Sequence, residues 1–341
     1  MIITRTPLRI SFAGGGSDLP AFFADEPGHV VSATIDKYVY ISVNPHYGGG
    51  VRVSYARTEN VDRASEVEHP IVRACLAHAG IRRGVEIVSV ADVPSGTGLG
   101  SSSAFTVGLL AALAAYQGEF MTADLLAHTA YQIERGAGGQ VGKQDQYAAA
   151  FGGLRAYTFH PDGAVAVETL TPHPEVLHDF ESRLLLLDTG LRRGASALLA
   201  DQAAAMRDSR RRATVRAMAN LAGAFRDALH TGRLGECGDI LDAAWRLKRN
   251  VTNGIAGDMI DRAYATAKQH GAQGGKLCGA GGGGFLLIYA SPERHATIIK
   301  ATGLRHLPIR LAPHGATVIY ADTPKIPSAI RRTSEPSARI S

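Results

Sequence analysis

The segment from residue 93 to residue 104 combines residue types that bind phosphate. It carries three glycines and then the hydroxyls of Ser101, Ser102 and Ser103, and it leads directly into an apolar pattern over residues 105–116. Glycine lets backbone N–H groups crowd around an anion, and the N-terminus of the following helix adds partial positive charge there. The hydroxyls can cap the helix or reach a magnesium ion carried by the phosphates. The segment predicts a phosphate loop, with a simple helix-capping loop as the alternative.

Two carboxylates follow this loop in the sequence. Glu134 closes a predicted helix, and Asp145 comes after a glycine-rich turn. A glutamate and an aspartate separated by such a turn can converge on one point, and magnesium prefers carboxylate and hydroxyl oxygens. The alternatives are an exposed carboxylate at a helix end for Glu134 and a cap residue for Asp145.

Two further glycine-rich segments stand at residues 7–18 and 275–285. The later one satisfies the dinucleotide pattern GxGxxG through Gly279, Gly281 and Gly284. That pattern requires a helix after it, whereas a strand is predicted here, so we reject a dinucleotide site. Residues 138–143 resemble a Walker loop, but the spacing fails and Gln144 replaces the required Ser or Thr.

The predicted elements place these segments at strand and helix ends. The sequence predicts strands at 2–6, 9–13, 31–44, 51–56, 85–90, 153–159 and 164–170, and helices at 101–116 and 122–135. Two prolines at residues 172 and 174 mark a domain boundary. Beyond it we predict strands at 184–188, 285–290, 306–312 and 316–320, and helices at 194–230, 234–250, 255–270 and from 292. The predicted units are residues 1–175 and 176–323, with an irregular tail at 324–341.

Composition excludes several classes of protein. The chain has 341 residues, of which 45% are hydrophobic and 20% charged, as in soluble globular proteins. Its longest apolar run, residues 104–116, is too short to span a bilayer, and we expect neither a membrane segment nor a secretory signal. The three cysteines are far apart and form no CxxC pair, which disfavours disulfides or zinc and fits a reducing cytoplasm.

The net charge of +5 does not indicate nucleic acid. Much of it comes from one helical region with no interleaved aromatic residues, which single-strand binders require. We interpret this cluster as a solvated helix face, with an oligomer contact or an anion site as alternatives, and a homodimer is compatible with the sequence. Its members are Arg207, Arg210, Arg211, Arg212 and Arg216.

Taken together and in this order, the three glycine segments resemble the motifs of the GHMP small-molecule kinases. The resemblance extends to about residue 320 and is strongest at residues 5–20, followed by 28–38, where the chain is similar to D-glycero-D-manno-heptose 7-phosphate kinases, with fucokinase-type enzymes as near relatives. It implies an α+β fold of two domains, a ribosomal-protein-like α/β domain and a ferredoxin-like domain, with the active site between them. It also implies that ATP is bound by the phosphate loop, through Pro94, Gly96, Gly98, Leu99, Gly100, Ser101, Ser102 and Ser103.

The resemblance assigns roles to individual residues. Ser101 or Ser102 would join Glu134 at Mg²⁺, and Asp145 would remove the proton of the acceptor hydroxyl or only orient that hydroxyl. Arg9 would lie beside Asp145 and keep it ionised, and Lys143 is a second candidate for an electrostatic role, with a solvated lysine as the alternative. For the sugar, the candidates are Gly15, Gly16, Ser17, Asp18, Arg193, Gly281 and Gly282.

The resemblance also implies a substrate. Gly15 and Gly16 replace the Glu-His pair of galactokinase, which disfavours galactose. The expected reaction phosphorylates the anomeric hydroxyl of D-glycero-α-D-manno-heptose 7-phosphate with ATP, and Arg193, with Ser196, would bind the 7-phosphate at a helix start. The alternatives are a fucokinase-like enzyme acting on an unphosphorylated sugar, a less favoured mevalonate-type kinase, and a non-catalytic sensor of sugar or nucleotide. We expect the enzyme to act in the cytoplasm, in activated-heptose supply for bacterial surface polysaccharide.

Overall fold

The first half of the chain is built on two long antiparallel strands, β1 (Ile2–Ala13) and β2 (Gly28–Pro45). The structure is a computed structural model that describes residues 1–192, 195–252 and 254–322, so the predicted tail and Arg193 lie outside the described residues. The sheet has the order β12-β1-β2-β5-β3-β4, with β6 on β2 and β7 on β6. Its other strands are β3 (Val51–Ser54), β4 (Thr58–Val61), β5 (Val85–Ala91), β6 (Leu154–Phe159), β7 (Val165–Thr169) and β12 (Thr317–Ala321).

Strand β1 is one strand, where the sequence predicts two. Its pairing with β2 continues through Pro7, and the register shifts between Pro7 and Leu8. A proline removes one ladder hydrogen bond, and an irregularity in register accommodates it without ending the strand. As a result, the single strand carries Arg9 from the sheet to the cleft described below.

The helices of the first half are α1 (Pro20–Phe23), α2 (Pro70–His78), α3 (Ser101–Tyr116), α4 (Ala123–Gly136) and α5 (Gln144–Phe151). The prediction for α3 is confirmed at both ends, and that for α4 within one residue. Helix α3 packs closely on β1, since a Cβ on Gly108 would lie 2.5 Å from Thr6 Oγ1. Thr4 Oγ1 donates to the carbonyl of Gly108 at 2.9 Å, which fixes the helix on the strand.

The second half contains a four-stranded antiparallel sheet of order β11-β8-β10-β9. The predicted helix over 194–230 is wrong as a single element: it is two helices, and the second begins where Asp208 Oδ1 accepts a hydrogen bond from the N–H of Arg211 at 2.9 Å. The elements are α6 (Pro174–Ser182), β8 (Leu184–Asp188), α7 (Ala195–Ala205), α8 (Ser209–His230), α9 (Leu234–Arg249), α10 (Asp258–Gln269), β9 (Gly274–Leu277), β10 (Phe285–Tyr289), α11 (Pro292–Thr302) and β11 (Arg305–Leu307).

The two halves share one core. Phe12 of β1 packs against Phe180 of α6 and Phe225 of α8, with ring centroids 5.3 and 5.2 Å apart. In addition, β12 pairs with β1, so residues 317–321 complete the sheet of the first half. The domain boundary near residue 175 stays a prediction, and sheet membership assigns β12 to the first unit rather than the second.

The arginine cluster is only partly a solvated face. Arg212 Nε and Arg216 Nη2 both donate to Glu26 Oε1, at 3.0 and 2.8 Å. These two arginines attach α8 to the segment after α1, while Arg207, Arg210 and Arg211 are exposed.

The three cysteines and the tryptophan all lie in the interior. Cys75, Cys237 and Cys278 are buried free thiols, and Trp245 is a fully buried core residue. Within residues 1–192, 195–252 and 254–322, none of the helices has the length and apolar character needed to cross a membrane.

Candidate active site

A cleft lies where the three glycine segments meet. Its walls come from β1 and the turn after it, from the phosphate loop and the start of α3, from the start of α5, and from β9 and the loop that follows. Segments far apart in sequence meet there because β1 holds the first, α3 packs on β1, and β9 belongs to the sheet that shares the core. A strand, β10, follows the last glycine segment, as the rejection of a dinucleotide site requires.

The centre of the cleft is a two-fold hydrogen-bonded ion pair. Arg9 Nε donates to Asp145 Oδ1 at 2.8 Å, and Arg9 Nη2 donates to Asp145 Oδ2 at 2.7 Å. Arg9 Nη1 donates to the carbonyl of Gly98 at 2.7 Å. Arg9 is 3% exposed, whereas the Asp145 side chain is 27% exposed. The guanidinium therefore fixes the carboxylate plane from behind and leaves its free face toward the cleft.

The phosphate loop turns the start of α3 toward the same cleft. Gly100 precedes the helix with φ +75°, and no side chain caps the first turn. The N–H groups of Ser101, Ser102 and Ser103 precede the first intrahelical hydrogen bond, which Ala104 makes to Gly100. Those three serines line the cleft with Gly96, Gly98 and Gly100. Pro94 is exposed outside it, and Leu99 is buried in the core.

Gly98 holds this loop against the other half of the chain. A Cβ on Gly98 would lie 2.5 Å from the carbonyl oxygen of Cys278, and φ is +78°. A backbone hydrogen bond of 3.1 Å from Phe285 N to Thr97 O joins the same two segments. The position of the phosphate loop therefore depends on the last glycine segment.

Glu134 is buried at the edge of the cleft. Its Oε2 accepts from Ser103 Oγ at 3.0 Å and from Gln146 Nε2 at 2.8 Å, while Oε1 is buried without a hydrogen-bond partner among the described residues. Burial raises the pKa of Glu134 to about 7. The exposed-carboxylate alternative is wrong, and the serine that contacts Glu134 is Ser103 rather than Ser101 or Ser102. An unpartnered carboxylate oxygen beside serine hydroxyls fits the donor set that magnesium prefers.

Asp18 is a second buried carboxylate, and it lines the cleft. Oδ1 accepts from the N–H of Gly16 at 2.9 Å, and burial, followed by the charge of Asp145, raises the pKa of Asp18. Gly15 and Gly16 line the cleft next to it. Ser17 does not, because its hydroxyl donates to the carbonyl of Gly14 at 2.7 Å inside the turn.

Two other predicted site residues, Lys143 and Gly282, do not line the cleft. The Lys143 ammonium donates to the carbonyl of Gly163 and lies 4.9 Å from the ring centroid of Phe23, away from Asp145. Gly281 lines the cleft, but Gly282 does not, and its N–H donates to the carbonyl of Ile255 at 2.8 Å. Arg193 and the side chain of Ser196 are not among the described parts of the chain.

The cleft also contains two lysines that the sequence analysis missed. Lys248 on α9 and Lys276 on β9 are 7% and 3% exposed and line the cleft with Arg9 and Asp18. Lys248 stands between Arg246 and Arg249 in the last turn of α9, and Lys276 belongs to a strand of four residues, so neither position forms a motif that predicts chemistry. The one available signal for Lys276 is its position three residues before the glycine-rich loop that begins at Gly279.

Phosphoryl transfer to an alcohol requires donors that bind the phosphate charge and a carboxylate that orients the hydroxyl. The backbone N–H groups at the start of α3 and the Asp145 carboxylate, held by Arg9, are groups of these two kinds. The fold and this site define a small-molecule kinase. The family follows from the sequence: residues 67–153 match the GHMP kinases N terminal domain, and residues 225–306 match the GHMP kinases C terminal domain. The chain belongs to the GHMP kinase family and is a sugar kinase of that family, and the predicted two-domain fold class is confirmed.

Similar proteins include a D-glycero-alpha-D-manno-heptose 7-phosphate kinase of Campylobacter jejuni, 30% identical over 88% of this chain and 92% of the relative. The bifunctional fucokinase/GDP-fucose pyrophosphorylase of Arabidopsis thaliana is 25% identical over 86% of this chain, which spans 30% of that longer protein. A D-glycero-D-manno-heptose 1-phosphate kinase from Bacteroides thetaiotaomicron has the same fold, with a TM-score of 0.77 at 24% identity, over 95% of this chain and all of that one.

Proposed function

We propose that this chain transfers the γ-phosphoryl group of ATP to the anomeric hydroxyl of D-glycero-α-D-manno-heptose 7-phosphate, giving the 1,7-bisphosphate. The observation that carries the proposal is the Arg9–Asp145 pair, which lines one cleft with Ser101, Ser102 and Ser103, whose N–H groups precede the first intrahelical hydrogen bond of α3. The similarity to the heptose 7-phosphate kinase supports the choice of sugar. We place the reaction in the cytoplasm, in the supply of activated heptose for surface polysaccharide.

Different residues of the chain bind the phosphates, orient the hydroxyl and stabilise the charge. The N–H groups of Ser101, Ser102 and Ser103 bind the phosphates of ATP. Asp145 accepts the hydrogen of the anomeric hydroxyl, whose oxygen then bonds to the γ-phosphorus as the bond to the β-phosphate oxygen breaks and ADP leaves. Asp145 either keeps that proton or only orients the hydroxyl. The guanidinium of Arg9, on the Gly98 carbonyl and the Asp145 carboxylate, offsets negative charge beside the transferred group.

Asp18 and Glu134 complete the proposed site. Each oxygen of Asp18 accepts one backbone N–H, Oδ1 from Gly16 at 2.9 Å and Oδ2 from Gln144 at 3.4 Å. The acceptor capacity that remains on both oxygens is suited to sugar hydroxyls. Glu134 with Ser103 would hold Mg²⁺, which when bound neutralises phosphate charge and orients the phosphates.

A panel of acceptors tests this function. The purified protein, with ATP and Mg²⁺, is offered hexoses, heptoses and their terminal phosphates, and NMR of the product gives the position of the new phosphate. We expect heptose 7-phosphate to be the best acceptor and the anomeric oxygen to be phosphorylated. Fucose as the best acceptor would establish the fucokinase-like alternative, and no ATP turnover with any sugar would establish a sensor.

Binding of Mg²⁺ should depend on the ionisation of Glu134. Because burial holds the pKa of Glu134 at about 7, the carboxyl is protonated below that pH and must lose a proton to bind the ion. We expect the dissociation constant for Mg²⁺, measured calorimetrically with a non-hydrolysable ATP analogue, to rise roughly tenfold per pH unit below 7.

The matched control for this experiment is Glu134→Gln, which retains the titration of the nucleotide but lacks the carboxyl. Its Mg²⁺ affinity should be weaker at pH 8 and less dependent on pH. Identical pH profiles for the two proteins would remove Glu134 from the ion site.

A further inference from the structure

Two buried lysines in the cleft have no carboxylate partner among the residues that the structure describes. Lys248 and Lys276 are each more than nine-tenths buried and lie on different elements, α9 and β9. Neither takes part in a salt bridge within residues 1–192, 195–252 and 254–322. Burying an ammonium away from water carries a large cost unless an anion or several acceptors receive it.

The acceptors that the two ammonium groups do have are backbone carbonyls. Lys248 Nζ donates to the carbonyls of Leu277, at 3.4 Å, and Gly279. Lys276 Nζ donates to the carbonyl of Phe12 at 3.2 Å. An ammonium group has three N–H donors, so Lys248 retains one and Lys276 retains two beside the cleft.

The charges around the pair favour a bound anion. Both oxygens of Asp145 accept hydrogen bonds from Arg9, so these two charges offset each other. Among the described residues that line the cleft, Asp18 is then the one carboxylate that can offset the two lysines. Cys278, which also lines the cleft, is a neutral thiol because burial raises its pKa. Burial lowers the pKa of Lys248 to about 8 and that of Lys276 to about 7, and the charge of Lys248 contributes to the shift of Lys276. An anion between them would relieve both effects.

The two lysines lie near the residues proposed to bind the acceptor sugar, rather than near those proposed to bind the nucleotide. Lys276 reaches the carbonyl of Phe12, on the strand that leads into the turn carrying Asp18. The phosphates of ATP have their own donors, the N–H groups at the start of α3, which lie in the other glycine segment.

We propose that Lys248 and Lys276 bind a phosphate group carried by the acceptor sugar, so that the enzyme selects a sugar phosphate over a neutral sugar. This inference rests on the proposed function and places the second anion site on residues other than Arg193. Two charge-assisted hydrogen bonds to a phosphate contribute enough for a selectivity of about 100-fold or more.

The test compares two acceptors that differ only in the phosphate: D-glycero-D-manno-heptose 7-phosphate and the same heptose without it. We expect the wild-type protein to prefer the phosphorylated acceptor by at least about 100-fold in kcat/KM. Lys276→Met and Lys248→Met should each reduce that preference by roughly 100-fold, mainly by raising KM for the phosphorylated acceptor. Methionine fills the buried space without charge, so the fold is retained.

Lys268→Met is the matched control. Its ammonium also donates to a backbone carbonyl, that of Gln273 at 2.6 Å, but it does not line the cleft. The acceptor preference of this variant should equal that of the wild type.

A second measurement does not depend on any variant. The affinity of the wild type for the phosphorylated acceptor should fall as the pH rises from 6.5 to 9, because burial lowers the pKa of both lysines and they lose the proton that binds phosphate. The other titratable and charged groups that face them in the cleft are Arg9, Asp18, Asp145 and Cys278. A preference unchanged by both lysine variants, equal losses with both acceptors, or a pH-independent affinity would each refute the inference. A wild type that phosphorylates the anomeric oxygen of both heptoses equally well would refute the inference, while phosphoryl transfer to the anomeric hydroxyl of a heptose would stand. A wild type that phosphorylates no sugar would refute the proposed function itself.

Discussion

Asp145→Asn should lower kcat by roughly 10²–10⁴ while leaving the affinity for ATP within about threefold. The amide retains the shape of the carboxylate and one acceptor for Arg9, but it can neither take a proton nor orient the acceptor hydroxyl as a charged group does. Steady-state kinetics with the best acceptor of the panel, together with nucleotide titration, measures both quantities.

Asp124→Asn is the control for this prediction, because Asp124 is an exposed carboxylate in the first turn of α4, outside the cleft. It should behave as wild type. Wild-type turnover in Asp145→Asn would show that the acceptor hydroxyl meets a different group, and the proposed mechanism would fall with it.

Gly98→Ala should reduce kcat/KM for ATP by at least about 100-fold. A Cβ at this position would lie 2.5 Å from the carbonyl of Cys278, and φ of +78° costs an L-residue about 1–2 kcal/mol. The loop can relieve the contact only by moving away from the last glycine segment, and that movement carries the N–H groups of α3 away from the phosphates. Nucleotide titration and kinetics at saturating acceptor separate lost binding from lost turnover.

Gly303→Ala is the corresponding control. Gly303 ends α11 with φ +65°, and a Cβ there would meet nothing within 4 Å, so it carries the backbone strain without the collision. It should lower Tm by a few degrees and leave the ATP kinetics unchanged. Equal kinetic effects of the two substitutions would mean that strain alone, rather than contact between the two halves, governs the loop.

Much of the fold could be predicted from local patterns, and the errors have physical causes. Helix α3 and strand β8 begin and end as predicted, because an apolar run between glycine or polar residues defines each. Helix α6 is not predicted from the sequence, because Pro174 indicates an interruption of regular pairing; a proline at the first position of a helix loses no hydrogen bond. The domain boundary at this segment stays a prediction. Helix α5 was missed, since the glycines before it end every periodic pattern.

The site was predicted unevenly for a similar reason. Arg9, Asp145 and Glu134 stand in motifs whose order and spacing carry information. The structure places Arg9 and Asp145 in the cleft and buries Glu134 against Ser103, which lines it. Lys143 belongs to the same motif as Asp145, but its side chain lies outside the cleft and donates to the carbonyl of Gly163. No pattern in the linear sequence indicates that contact. Lys248 and Lys276 become visible only when α9 and β9 pack behind β1, because their meeting is a product of tertiary structure.

Strand β12 has a consequence for how the chain is made. Ile2 pairs with Ala321 and Arg5 with Thr317, so one side of β1 finds its neighbour only when nearly all the intervening residues have left the ribosome. The entropic cost of closing so long a loop grows only with the logarithm of its length, so the finished protein loses little by this arrangement. During synthesis, however, an open strand edge is a template for another chain. The period of greatest exposure to misassembly is therefore translation itself, and it ends when the last strand closes the sheet.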